Sequence, residues 1–186
     1  YPGFPDNAPD HPLAIQFNSA NLLEFKTSVS NTGLYLYDPD TIHSIITGNY
    51  IENLQNDIPA AYGGDELAYI RELDFMSYNY SNIIFEAAQN APNTVAVYPQ
   101  TTIGNQFEIT SRLITGGLST PIYRLSQNGY DTHVNQTQKH YQLLSELSEA
   151  INVFLDEMNS LDLLDNVLIM TTTEFGRRVF ENASAG

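Results

Sequence analysis

The chain contains no cysteine, and only seven Lys and Arg stand against 22 Asp and Glu. The first absence excludes a disulfide scaffold and thiolate metal sites, and leaves the compartment open. The second produces a formal charge of −15 at pH 7. That charge argues against nucleic acid or an anionic membrane as partner, because phosphate recognition needs clustered cations; only Arg177 and Arg178 are adjacent. No apolar run approaches the roughly 20 residues that span a bilayer, so no membrane insertion is expected. What is present suits a packed core: 42% of the 186 residues are apolar, which argues against wholesale disorder. The length suits one domain, or one piece of a larger one. The sequence runs from Tyr1-Pro2-Gly3-Phe4-Pro5 to Asn182-Ala183-Ser184-Ala185-Gly186. It reads as an excised segment whose targeting sequence, if any, was left off.

Hydrophobic patterning predicts an alternation of strands and helices. After a proline-rich lead-in over residues 1–12, Leu13 to Phe17 reads as a strand, with Leu22 to Phe25 and Gly33 to Tyr37 as further short extended pieces. Asp38 is a suitable N-cap and Pro39 a suitable first-turn residue for a short helix through Ile46, ended by Gly48. Asn49 to Gly64 is a polar connector. Asp65 to Asn90 carries Leu67, Ile70, Leu73, Tyr80, Ile84 and Ala87 at helical steps. Thr94 to Tyr98 reads as a loop or short edge strand. A helix follows from about Asn105 to Thr115, stopped by Gly116-Gly117.

The C-terminal third is the most regular part. Pro121 to Ser126 reads as a strand. Thr137 to Ser160 reads as a helix with Leu144, Leu147, Ile151, Phe154, Leu155 and Met158 inward, and Glu146, Glu149, Asp156 and Glu157 on the wet side. Val167 to Thr173 is a near-continuous apolar and β-branched run, the kind buried on both faces of a parallel sheet. Strand, helix and strand at this spacing predict a right-handed βαβ unit. The fold class is therefore α/β, a mostly parallel sheet flanked by helices with a C-terminal βαβ unit, in a single domain over residues 1–186.

Ligands of open parallel sheets bind beyond the carboxyl ends of the strands. Gly129-Tyr130-Asp131-Thr132-His133-Val134-Asn135-Gln136 follows the first strand of this unit, and Glu174 directly follows the second. Asp131, His133 and Glu174 then share one rim, a mixed oxygen and nitrogen set that borderline divalent metals accept. The plainer readings are an Asx-type turn with a surface histidine, and a Glu174 that caps a turn or pairs with Arg177 or Arg178. His140, on the first turns of the helix, reads as a solvated helix residue or a further ligand. His11 and His43 read as structural or exposed. Tyr35, Tyr37, Tyr78 and Tyr80 would stack a carbohydrate only on a shared face, and packing is the simpler reading. Gly63-Gly64-Asp65 reads as a helix start, since no Lys-Ser/Thr pair follows to make a phosphate loop.

These motifs resemble those of the bacterial secreted proteins grouped as domain-of-unknown-function family 1501, marked by Gly-Phe-Asp-Thr-His-x-x-Gln and a later Ser-Glu-Phe-Gly-Arg. The matching residues are Gly129 to Gln136, with Tyr130 for Phe, and Thr173-Glu174-Phe175-Gly176-Arg177, with Thr173 for Ser. His140 with Leu143-Leu144, and Arg112-Leu113-Ile114 with Gly116-Gly117-Leu118, fit as well, so the resemblance is dense from about Asn105 to Gly186. It implies membership of the alkaline phosphatase and sulfatase-like superfamily, of whose fold this chain would be a part. The metal-binding first strand and the nucleophile would lie before residue 1. Where that superfamily has Asp-His-Gly, this chain has Glu174-Phe175-Gly176, and a phenyl ring cannot ligate metal.

The resemblance implies a secreted or periplasmic, metal-dependent hydrolase of phosphate or sulfate esters. Asp131, His133 and Glu174 would hold a divalent metal such as zinc, and the substrate would be a small-molecule or polysaccharide ester. Arg177 would stabilise anionic charge or serve as a structural partner of Glu174. The chain alone is expected to be inactive. The alternative is a non-catalytic secreted or surface domain with a degenerate site, which the replacement by Phe175 favours.

Overall fold

The computed structural model describes residues 9–17, 33–49, 63–173 and 175–176. The extended piece expected at Leu22 to Phe25 and most of the polar connector lie outside them. The described residues form four α-helices and three parallel strands, an α/β architecture as expected. The chain divides into two compact units, Tyr1–Pro92 with Arg112–Arg124, and Asn93–Ser111 with Leu125–Gly186.

The first unit holds the sheet. Strand β1 (Ala14–Gln16) lies between β2 (Gly33–Tyr35) and β3 (Ile122–Arg124), all parallel. Ile15 stands opposite Leu34 on one side and Tyr123 on the other. The ladder extends past the strand ends, from Phe17 N–H to the Arg124 carbonyl at 3.0 Å and from Leu36 N–H to the Gln16 carbonyl at 2.9 Å. All three residues of β1 are buried, as a central parallel strand covered on both faces must be. Burial pushes the Tyr123 hydroxyl well above the usual tyrosine range.

Helix α1 (Pro39–Asn49) starts where its cap predicts, with Asp38 Oδ2 accepting from Thr41 N–H at 2.8 Å and Thr41 Oγ1 at 2.7 Å. It does not stop at Gly48; that glycine is carried inside the last turn. Helix α2 (Gly64–Asn90) begins after Gly63, whose φ of 88° is open to glycine, so Gly63-Gly64-Asp65 is a helix start. The His43 ring stacks on Phe85 with centroids 4.0 Å apart, fastening α1 to α2 and making this histidine structural.

Helix α3 (Thr102–Thr115) begins three residues earlier than its apolar pattern suggests, because Thr101 Oγ1 accepts from Gly104 N–H at 3.1 Å and caps it. Its end is the expected glycine stop. Gly117 has φ 90°, Leu118 N–H reaches the Leu113 carbonyl at 3.0 Å, and Gly117 N–H reaches that of Ile114 at 3.1 Å, the paired bonds of a Schellman motif.

The second unit is organised on helix α4 (Gln136–Ser160), which buries Leu143, Ala150, Phe154, Glu157 and Met158. The inward face is thus turned from the predicted one. Leu143 takes the place expected for Leu144, which is 54% exposed, and Glu157, expected on the wet side, is in the core. Phe154 meets Phe107 of α3 at 5.4 Å between ring centroids. Phe154 and Met158 each contribute about 1.5–3 kcal/mol by burial.

Of the two readings of residues 94–98 the loop holds, and the strand expected over residues 167–173 does not form. Residues 94–98 are a loop with Val95 and Val97 in solvent. Residues 167–173 have no strand partner among the described residues, and Leu168 and Met170 are 90% and 80% exposed. The second strand of the predicted βαβ unit is therefore not part of the observed sheet. An apolar run has strand propensity, but a strand exists only where a neighbour accepts its hydrogen bonds.

Candidate functional site

The Gly129 to Gln136 turn lies between β3 and α4, in the second unit. Two residues set its path. Gly129 has φ 104°, which glycine adopts without steric cost. Asn135, at the N-cap position of α4, has φ 52°, a left-handed conformation that asparagine tolerates better than most residues.

Between these bends, successive side chains take opposite roles. Tyr130 and Thr132 are partly buried, whereas Asp131 and His133 are exposed. The Tyr130 hydroxyl donates to Gln127 Oε1 at 2.8 Å, and Gln127 Nε2 donates to the Leu143 carbonyl of α4 at 3.0 Å. Burial raises the Tyr130 hydroxyl above the ordinary tyrosine range, and the nearby Glu146 carboxylate adds to this. The Tyr130 ring meets the His140 imidazole edge-on at 5.6 Å. His140 Nε2 lies 3.2 Å from the Tyr130 carbonyl and 3.3 Å from Thr132 Oγ1. His140 is thus half-buried against the turn, and the solvated-residue reading of it does not hold.

On the outer side, Asp131 Oδ1 lies 3.4 Å from His133 Nε2, with the two side chains 69% and 84% exposed. The structure therefore brings together two of the three expected metal ligands. A carboxylate oxygen beside an imidazole nitrogen is a donor pair that borderline divalent metals accept, and the pair fits as half of such a site. Glu174, Arg177 and Arg178 lie outside the described residues. Among the described residues, no three His, Asp or Glu side chains gather closely enough to hold a metal.

Sequence reasoning missed Gln127, Tyr130 and Thr132 as the supports of this turn. The alternation of Tyr130 and Thr132 with Asp131 and His133 was a readable signal; Gln127 carried none. A stacking surface shared by all four tyrosines, the less simple of the two readings, does not extend across them: Tyr35 and Tyr37 are exposed, but Tyr80 turns its hydroxyl to the Pro9 carbonyl at 3.4 Å.

A second polar cluster occupies the other end of α4. Glu157 Oε2 accepts from the Tyr98 hydroxyl at 2.5 Å and from the Ser111 hydroxyl at 2.5 Å, and all three residues are buried. Burial, reinforced by the Glu157 carboxylate, pushes the Tyr98 hydroxyl well above its usual range.

No curated protein and no solved structure matches the chain. A family model described as protein of unknown function DUF1501 matches residues 82–186, which include the whole turn, α4 and the Glu174 to Arg177 motif. The chain belongs to that family.

Proposed function

We propose that the full-length protein is a secreted or periplasmic hydrolase of phosphate or sulfate esters that uses a divalent metal such as zinc. The observation that carries this reading is the pairing of Asp131 with His133, 3.4 Å apart on the solvent side of a turn whose other side is bound to α4. Asp131 and His133 would hold the metal together with Glu174. Such a metal supplies Lewis-acid polarisation of an ester oxygen and activation of water. The chain's own residues orient the two donors and keep them in solvent, where a small-molecule or polysaccharide ester can approach. Arg177 would stabilise the anionic group of the substrate.

Phe175, 45% exposed, favours a second reading. A phenyl ring where the alkaline phosphatase and sulfatase-like superfamily has its His offers no metal donor, so the superfamily's site would be, in this chain, a degenerate turn in a non-catalytic surface domain. One experiment separates the two. The purified full-length protein is assayed for bound metal and for hydrolysis of aryl phosphates and aryl sulfates. Metal content with turnover, both abolished by Asp131→Ala and His133→Ala, is the expected result. Absence of both metal and turnover in the wild-type protein would overturn the hydrolase reading.

A further inference from the structure

His140 is a ring of the motif region whose proton position follows from its neighbours. A backbone carbonyl only accepts, so the 3.2 Å approach of Nε2 to the Tyr130 carbonyl requires the hydrogen on Nε2. Thr132 Oγ1, 3.3 Å from the same nitrogen, then accepts a share of that hydrogen. The lone pair of the neutral ring falls to Nδ1. The Tyr130 carbonyl also accepts from Thr132 N–H at 3.0 Å, so both of its acceptor positions are used within the turn.

These contacts fall immediately before and immediately after Asp131. A peptide held at residue 130 by its carbonyl and at residue 132 by its side chain leaves little freedom to the residue between them. With Tyr130 and Thr132 turned to the helix, Asp131 and His133 are turned outward, where they meet at 3.4 Å. His140 itself stands on α4, one helical turn beyond Gln136, and the Tyr130 ring lies edge-on to it at 5.6 Å. The rigid element in this arrangement is the helix, and the imidazole transmits its position to the turn.

We propose that His140 is a positioning residue for the metal-binding turn: its Nε2–H pins the Tyr130 carbonyl and the Thr132 hydroxyl, and so fixes Asp131 and His133 as adjacent outward donors. The proposal rests on the metal-site reading above. It also removes His140 Nε2 from the set of ligands, since that nitrogen is engaged with the turn. Groups that orient metal ligands in this way typically account for about 10–100-fold in metal affinity.

The test is calorimetric titration of zinc, and separately of manganese, into the full-length protein and its variants. His140→Ala is expected to weaken binding about 10–100-fold. His140→Gln is expected to recover most of the loss, because its amide N–H reaches from a similar distance to the same carbonyl. Thr132→Val, which keeps the backbone bond but loses the hydroxyl, should show a smaller loss and reports on the clamp if His140→Ala does not fold. The imidazole ¹⁵N spectrum of the metal-free chain should show His140 as the Nε2–H tautomer, and on adding metal the His133 signals should move while those of His140 stay.

His140→Ala binding as tightly as wild type, with Asp131→Ala not binding, would overturn the proposal. So would metal-induced shifts showing coordination at His140. A full-length wild-type protein that binds neither zinc nor manganese defeats the metal-site reading instead. The clamp is then judged by the tautomer alone, which an Nδ1–H ring would rule out.

Discussion

At the C-terminal end of α4, Glu157 is 6% exposed and accepts two buried hydroxyls on one oxygen. At the N-terminal end, Asp131 is 69% exposed and its described neighbour is the more exposed His133. Two carboxyl groups near one helix are therefore placed in opposite ways. A buried polar group is tolerated when the fold supplies its hydrogen bonds, and once supplied they tie together distant parts of the chain. Glu157 does this for Tyr98 and Ser111, 59 and 46 residues away. Asp131 contributes little to packing, although the backbone on either side of it is held. The contrast separates a carboxyl group that stabilises from one that is presented to solvent.

The sharpest test of this contrast is Glu157→Ala, which removes the acceptor shared by two buried hydroxyls. Hydrogen bonds to charged groups are worth about 1.5–3 kcal/mol each and an unsatisfied buried group costs about as much, so a loss on the order of 3 kcal/mol is expected from urea unfolding. Glu157→Gln, which still accepts, should lose roughly half of that. A Glu157→Ala midpoint equal to wild type would show the cluster to be incidental.

The same cluster sets an alkaline limit. The Tyr98 pKa is raised in the folded state by burial, then by the bond to Glu157. Its stabilising contribution is therefore complete below about pH 10, the unfolded tyrosine value, and is lost as pH rises above it, since only the unfolded chain ionises readily there. Unfolding midpoints measured from pH 8 to 11 should fall only at the alkaline end. Tyr98→Phe should flatten that fall, although it starts from a lower stability.

At the other end of the helix the expected effects are smaller and come from the backbone. In Gly129→Ala, the added methyl would meet Leu143 and Lys139 side-chain atoms at an ordinary 3.5 Å, so space is not the difficulty. The φ of 104° is. A cost of about 1–2 kcal/mol follows from that conformation, read in the same urea experiment. Asp162 offers the converse case. It sits at φ 57° beyond the end of α4, with Leu163 N–H bonded to the Met158 carbonyl at 2.9 Å, a position that favours glycine. Asp162→Gly is expected to stabilise by about 0.5 kcal/mol, the strain relieved being partly offset by the greater freedom of unfolded glycine.

The comparison also shows what could be read in the sequence. Most local signals held: Asp38 capped α1, Gly116-Gly117 ended α3, and the short apolar pieces at Ala14 and Gly33 became β1 and β2, although Gly48 did not end α1. Signals that depend on a distant partner failed. Leu143 and Leu144 are both plausible inward residues, and the choice between them depends on what faces the helix. Glu157 looked solvent-bound because Tyr98 and Ser111 are remote in sequence. The run from Val167 to Thr173 has the composition of a buried strand but no strand neighbour among the described residues. In the candidate site, the spacing of Asp131 and His133 was legible as a pair on one side of an extended turn. The imidazole of His140 could not be assigned to that turn until the helix placed it there.

The smallest expected effect bears most directly on the contrast between the two ends. Asp131→Asn keeps the size of the side chain and removes its charge. If Asp131 is present for what it can bind, the fold should hardly register the change. An exposed pair at 3.4 Å contributes between nothing and about 1 kcal/mol, and less as salt is added. Urea midpoints of wild type and Asp131→Asn at 0.1 M salt should thus agree within about 0.5 kcal/mol. Zinc titrated into the same two samples should distinguish them clearly, because an amide is a much weaker ligand than a carboxylate. A loss of stability comparable with that of Glu157→Ala would reverse the assignment, making the turn a structural cluster like the one at the far end of α4. Equal stability with unequal zinc affinity would place the two carboxyl groups in the separate roles that their surroundings indicate.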